Sequence, residues 1–127
     1  MREPPSHPET DPTAAISREL SRIHLESYGT ASDEINTHLV GDDLVVCMID
    51  NELTPAERTL LNADKGLTVK ETRMAFQEAI GPTFIAVVER ALGRKVEAFV
   101  SHFNLEPIFS VELFRLAPRG PVLEEAS

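Results

Sequence analysis

The succession of periodicities along this chain predicts an α+β fold: a four-stranded, mostly antiparallel sheet with helices on one face, in the order α-β-β-α-α-β-β. Three observations carry that reading. Two pairs of short β-branched or aromatic runs are each joined by a turn-forming stretch, Gly41-Asp42-Asp43 and Asn104-Leu105-Glu106-Pro107, as hairpins require. Apolar residues at helical spacing precede the first pair and fill the gap between the two pairs. The 127 residues are 42% hydrophobic and 26% charged, which suits one domain with one continuous core. Hairpins segregated from helices build a layer in which the helices cover one side of the sheet.

The domain is expected to span residues 13–117. Before it, Pro4, Pro5, Pro8 and Pro12 withdraw backbone donors while Glu3, Glu9 and Asp11 stay hydrated, so residues 1–12 read as a disordered tail. Residues 118–127, with Pro118-Arg119-Gly120-Pro121 and then Glu124-Glu125, read as a second, flexible tail. From Thr13 onward Ile16, Leu20 and Ile23 recur at helical spacing, with Tyr28 closing the stripe and Gly29 as its stop. Residues 34–40 alternate, with Ile35, Thr37 and Leu39 on one side and Asn36 and His38 on the other, and residues 44–49 form a β-branched apolar run.

Leu53-Thr54-Pro55-Ala56-Glu57 is the sharpest local signal. Thr54 stands at the N-cap, Pro55 at the first helical position and Glu57 at N3, which is a capping box, and both residues read as structural. A short helix runs from there to about Ala63. A longer pattern covers residues 67–92, with Val69, Phe76, Ile80, Phe84, Val87 and Leu92 as its stripe. Arg73 falls at the edge of that stripe, its stem buried and its head expected in water. Gly81-Pro82 predicts a kink or break in the pattern, and Gly93 ends it. Residues 96–103 and 109–116 supply the second hairpin; which strands of the two hairpins neighbour each other is open.

Charge and composition exclude several functions. Lys plus Arg is 12 and Asp plus Glu is 21, so 12 − 21 gives −9, a poor balance for nucleic acid or anionic lipid. The longest uncharged stretch in the middle of the chain, residues 79–88, is about half of the ~20 residues a spanning helix needs, so no direct membrane insertion is expected. An apolar leader is missing from the first residues, and the expected location is the cytoplasm. One cysteine, Cys47, admits neither an intrachain disulfide nor a multi-cysteine zinc site.

Constellations for chemistry are sparse. His7, His24, His38 and His102 show no helical metal spacing, so no metal and no cofactor is expected, and half-buried, hydrogen-bonded histidines are the simpler reading. His38 and His102 would meet only if their strands paired suitably. Cys47 lies in an apolar strand, where a thiol packs as a small hydrophobe with a raised pKa. Ser101 and His102 are strand neighbours and point to opposite faces, so they form no dyad.

Taken in order, Tyr28-Gly29 after an amphipathic helix, Leu53-Thr54-Pro55-Ala56-Glu57-Arg58, Gly93-Arg94-Lys95-Val96 leading to Phe99 and Ser101, and Val111-Glu112-Leu113-Phe114-Arg115-Leu116 resemble the small bacterial MpsC-like family. That family takes its name from a sodium-translocating membrane-potential-generating system, and the resemblance covers about residues 14–117. It implies association with ion or inorganic-carbon transport and brings no catalytic residues. Family members often continue Tyr-Gly with Arg-Gly-Pro, whereas Thr30-Ala31-Ser32 follow here. The positions that match the family pattern, Tyr28, Gly29, Arg94, Ser101 and Glu112, are the candidate ligand- or partner-binding residues. For Ser101 and Glu112 the alternative is a cross-strand hydrogen bond with an exposed Glu; for Arg94 it is interaction with the helix C-terminus.

The expected function is therefore a non-enzymatic, soluble accessory or interaction protein, with a membrane transport protein as partner. A small-ligand or anion sensor using Arg94 and the Tyr28-Gly29 loop is the alternative, and a hydrolase on a strand-borne Ser or Cys is a third. Residues 44–49 are apolar at every position, and Val96, Ala98 and Val100 oppose Phe99 and Phe103. Both sheet faces ask for burial while helices cover one, so a homodimer joined through the sheet is expected.

Overall fold

The computed structural model describes residues 11–29 and 34–119; the expected tails, His7 and the Thr30-Ala31-Ser32 segment fall mostly or wholly outside them. The elements are α1 (Pro12–Tyr28), β1 (Glu34–Val40), β2 (Leu44–Asp50), α2 (Pro55–Asn62), α3 (Gly66–Leu92), β3 (Val96–Asn104) and β4 (Phe109–Leu116). The order is the expected one, and every strand pairing is antiparallel. β1 and β2 pair through a turn in which Gly41 takes a positive φ of 64°, a conformation that suits a residue without Cβ. The strand order is β1-β2-β4-β3, so the second hairpin docks by its later strand and leaves β1 and β3 at the edges.

Pro12, expected in the tail, is instead the first residue of α1. Asp11 caps it, its carboxylate accepting from the Thr13 N–H at 3.1 Å, and a proline at N1 loses only a donor that no helix uses there. At the other end Gly29, in the left-handed conformation, donates to the Leu25 carbonyl at 2.9 Å. The break expected at Gly81-Pro82 does not occur: α3 continues through it for 27 residues. Pro82 sits on the exposed side. Gly81 lies so close to the ring of Phe99 that an added Cβ would stand 2.9 Å from its Cε2. Buried residues on both sides, Arg73 and Gln77 before it and Phe84, Val87 and Val88 after it, keep the helix continuous through the missing hydrogen bond.

The core forms between that helix-covered face and α1 and α3. Ile16, Leu20 and Ile23 of α1 meet Ile35, Val45, Cys47 and Ile49 of the first hairpin, with Phe84 and Val88 of α3 and Phe114 and Leu116 of β4. Thr54 accepts from the Glu57 N–H at 3.1 Å while Glu57 accepts from the Thr54 N–H at 2.9 Å, the reciprocal pair expected at the start of α2. Thr54→Ala is expected to lower stability by about 1 kcal/mol, measured by urea denaturation, because one helix-end donor loses its acceptor.

Candidate functional site

Arg73 is the first surprise of the structure. Its head is not in water: the residue is fully buried, at 0% exposure. The stripe of α3 turns it under the sheet, where Nε donates to Glu57 at 2.7 Å and Nη2 to the other oxygen of the same carboxylate at 2.8 Å. This is a bidentate fork, the geometry in which Arg binds a carboxylate most strongly. Nη2 also donates to the Glu52 carbonyl at 2.8 Å and Nη1 to Asn51 Oδ1 at 3.2 Å. The guanidinium lies 4.1 Å from the centre of the Tyr28 ring and 5.2 Å from that of Phe103. Tyr28 in turn donates its hydroxyl hydrogen to Glu57 and packs on Phe76, with ring centres 4.7 Å apart.

The capping residue Glu57 thus serves two structures at once. Burial by itself would raise its pKa, but hydrogen bonds from Arg73, Tyr28 and the Thr54 N–H outweigh that and hold it below the usual carboxylate value. Burial, with the Glu57 contact, pushes the Tyr28 hydroxyl up to about 12.

From Asn51 the polar contacts continue inward. Asn51 Nδ2 donates to Ser110 Oγ at 2.6 Å, Gln77 Nε2 donates to the same oxygen at 2.7 Å, and Ser101 donates to Gln77 Oε1 at 2.9 Å. Ser101 stands in register with Glu112 across β3 and β4, and Glu112 stands in register with Cys47 across β4 and β2. Glu112 is not the exposed partner of a cross-strand bond: it is 1% exposed, and neither carboxylate oxygen has a hydrogen-bond partner. Its parity on β4, shared with Ser110, Phe114 and Leu116, turns it to the helix-covered face. Burial pushes its pKa up to about 7, against a smaller opposing influence of Ser101.

The family-matched positions therefore fall in three places. Tyr28 belongs to the Arg73–Glu57 cluster, with Gly29 just beyond it ending α1. Ser101 and Glu112 face each other inside the sheet. Arg94 stands apart, donating to the carbonyls of Asp42 and, at 2.9 Å, Ala117, so its guanidinium ties the β1–β2 turn to the chain after β4. His38 and His102 lie on opposite edge strands and are exposed rather than half-buried, whereas His24 is buried against Tyr28 and Phe76. Among the described residues no group of three His, Cys, Asp or Glu side chains could hold a metal. Sequence reading missed Arg73, Asn51, Gln77 and Ser110. One signal for two of them was available, since an Arg and a Gln four residues apart on an apolar stripe share a helix face.

A family profile described as Na+-translocating membrane potential-generating system (MpsC) matches residues 10–117, most of the chain. The chain belongs to the MpsC family. Comparison with curated proteins and with solved structures returns no match. In this MpsC-family chain no helix among the described residues is long and apolar enough to cross a membrane.

Two outcomes follow from the buried charges. Arg73→Met, which strands Glu57, is expected to destabilise the fold by about 3–5 kcal/mol in urea denaturation, with Arg73→Met/Glu57→Gln recovering part of the loss. Glu112 has the opposite pH signature to Glu57. Its folded pKa of about 7 lies above the ordinary 4.5, so the folded state holds this proton longer than the unfolded chain. Stability from Glu112 is therefore lost as pH rises from 4.5 toward about 7. Glu57, whose pKa is lowered, loses its contribution as pH falls. Glu112→Gln is expected to remove the loss on the neutral side, roughly 3 kcal/mol, in thermal melts across that range.

Proposed function

We propose that this chain is a non-enzymatic contact subunit of a Na+ membrane-potential-generating system, working in the cytoplasm as a homodimer and docking with a membrane transport protein. The observation that carries this reading is the bare face of the sheet. Val40, Met48 and Val100 are 50%, 39% and 54% exposed there, and Leu44, Val46, Val111 and Leu113 lie between them, half-buried. The bonded polar groups Thr37, Cys47, Ser101 and Ser110 and the enclosed Glu112 are turned to the other face, while on this one Asn36 and His38 of β1 and His102 of β3 flank the apolar middle as exposed side chains. An exposed apolar patch centred on β2 and β4 is of the kind that symmetric association covers.

A second copy is the occupant proposed for this face. On this face Arg115 stands at one end of the strands, in the row of Val40, Leu44 and Ala98, and Glu34 and Asp50 stand at the other. Arg115 already pairs within its own chain with Asp43 at 3.3 Å and Glu97 at 3.8 Å, so apolar contact rather than charge would join the two copies. Beside Arg115 and Glu97 lies a shallow depression of about 420 Å³, lined also by Leu44, Ala98, Val100 and Leu113, which a partner's apolar side chains would fill. The anion-sensor reading gains nothing from Arg94, whose guanidinium is committed to two carbonyls.

Light scattering coupled to size exclusion tests the reading. The chain is expected at twice its monomer mass, and Val46→Glu or Leu113→Glu, on the bare face, is expected to give monomers with unchanged far-UV circular dichroism. A wild-type monomer at micromolar concentration would overturn the dimer. Activation of a cognate transport system by those monomeric variants as well as by the wild type would overturn the role of this face.

A further inference from the structure

Inside the sheet, directly behind the bare face, one polar row crosses all four strands. Thr37 of β1 is in register with Cys47 of β2, Cys47 with Glu112 of β4, and Glu112 with Ser101 of β3. The row reaches open surface at both edges. At β1, Ser17 donates to Thr37 at 2.8 Å, and both line a groove of about 520 Å³ between α1 and β1. At β3, Ser101 lines a second groove, of about 350 Å³, along α3. Thr37 and Cys47 are 3.4 Å apart, and either can be the donor. Between these two ends sits a carboxyl group with both oxygens enclosed and unbonded.

We infer that Glu112 is a proton-binding site, reached from both sheet edges through hydroxyl and thiol side chains, and that its charge sets the direction in which the neighbouring hydrogen bonds run. The polarity seen in the structure belongs to the protonated acid. Ser101 has one hydrogen and gives it to Gln77 Oε1, so toward Glu112 it can only accept. A carboxylic acid can meet it; a carboxylate cannot. Once the proton has left Glu112 for solvent, Ser101 must turn its hydrogen to the carboxylate. Gln77 then has to rotate its amide, presenting Nε2 to Ser101 and Oε1 to Ser110.

Ser110 allows this, because it now accepts from both Asn51 and Gln77 and its own hydrogen is uncommitted. There the reversal stops. Asn51 Oδ1 is held by Arg73, which can only donate, so the Asn51 amide keeps one orientation in both states. On the other side Thr37 can donate to Cys47 and Cys47 toward Glu112, so the thiol side of the row adjusts without a flip.

The groups facing Glu112 leave it the one that titrates near neutrality. β2 presents Cys47, whose thiol burial pushes up to about 11; β3 presents Ser101; α3 presents Gln77 and, one turn earlier, Arg73, which is committed to Glu57. Thr37 ends the row on β1, and beyond it Arg18, Glu34 and His38 line the first groove and Glu78 the second. Glu112 itself titrates at about 7. This inference does not depend on the homodimer.

Side-chain NMR of the full chain, labelled at Glu, Gln and Asn and followed between about pH 5 and pH 9, tests it. The Glu112 carboxyl carbon is expected to titrate with a midpoint of about 7, and the Gln77 amide resonances to move with the same midpoint while those of Asn51 stay still. Glu112→Gln is expected to abolish the movement of Gln77. Ser101→Ala is expected to leave Glu112 titrating, with a higher midpoint, and Gln77 unmoved. A Glu112 carboxyl that stays ionised throughout, or a wild-type Gln77 amide that ignores its titration, would overturn the inference; both are read on the unaltered protein, so they hold even if a variant fails to fold.

Discussion

A guanidinium that has lost its water must be met on every side, and in this protein Arg73 imposes that demand on most of the chain. Its fork is filled by Glu57, its remaining hydrogens by Asn51 and the Glu52 carbonyl, and its faces by Tyr28 and Phe103. Those partners come from the last turn of α1, the link after β2, the start of α2, and β3. The crossing from β2 to β3 passes through α2 and α3, so the ion pair is where that crossing is fastened. The capping box and the ion pair share one carboxylate, which makes the start of α2 and the seating of α3 a single event. A buried pair of this kind adds less net stability than apolar packing of the same volume, yet breaking it on one side is costly. Its effect is to penalise other arrangements of these elements.

The sheet distributes polarity in an unusual way. Its covered face carries Thr37, Cys47, Glu112 and Ser101 in one row, while the row beside it on the bare face runs His38, Val46, Leu113 and Val100, polar only at its edge. Register is normally enforced because a one-residue slip would move apolar side chains into water. Here residues 44–49 are apolar on both faces, so a slip of β2 would be nearly neutral in burial. The polar partners enforce register instead: a slip of β2 would draw Asn51 away from Ser110 and Arg73 and Cys47 away from Thr37, leaving enclosed groups unbonded.

How far the sequence could be read follows from what kind of contact each residue makes. Turns, caps and alternation are local, so the seven elements, the capping box and the Gly29 and Gly93 stops were legible. Strand order was not, since Val111 meeting Met48 depends on packing between distant segments. Arg73 was placed on the right face at the wrong depth. Periodicity reports direction around a helix, whereas depth depended on Glu57, sixteen residues away, whose role the cap already explained. Glu112 was legible in part. Its polarity suggested water, but its parity with Phe114 and Leu116 pointed inward, and parity won. At Pro82 the local preference for a break lost to packing on both sides of it.

Cys47 has a use that follows from its position alone. It is the sole thiol of the chain, with no exposed surface, in the second strand of the sheet beneath α1. Only the thiolate reacts with alkylating reagents, and both burial and the raised pKa withhold it from them. Labelling must therefore wait until α1 lifts or the first hairpin parts from β4. The rate of modification becomes a clock for that local opening, free of interference from any other cysteine. The molecule carries its own reporter of how often its centre breathes.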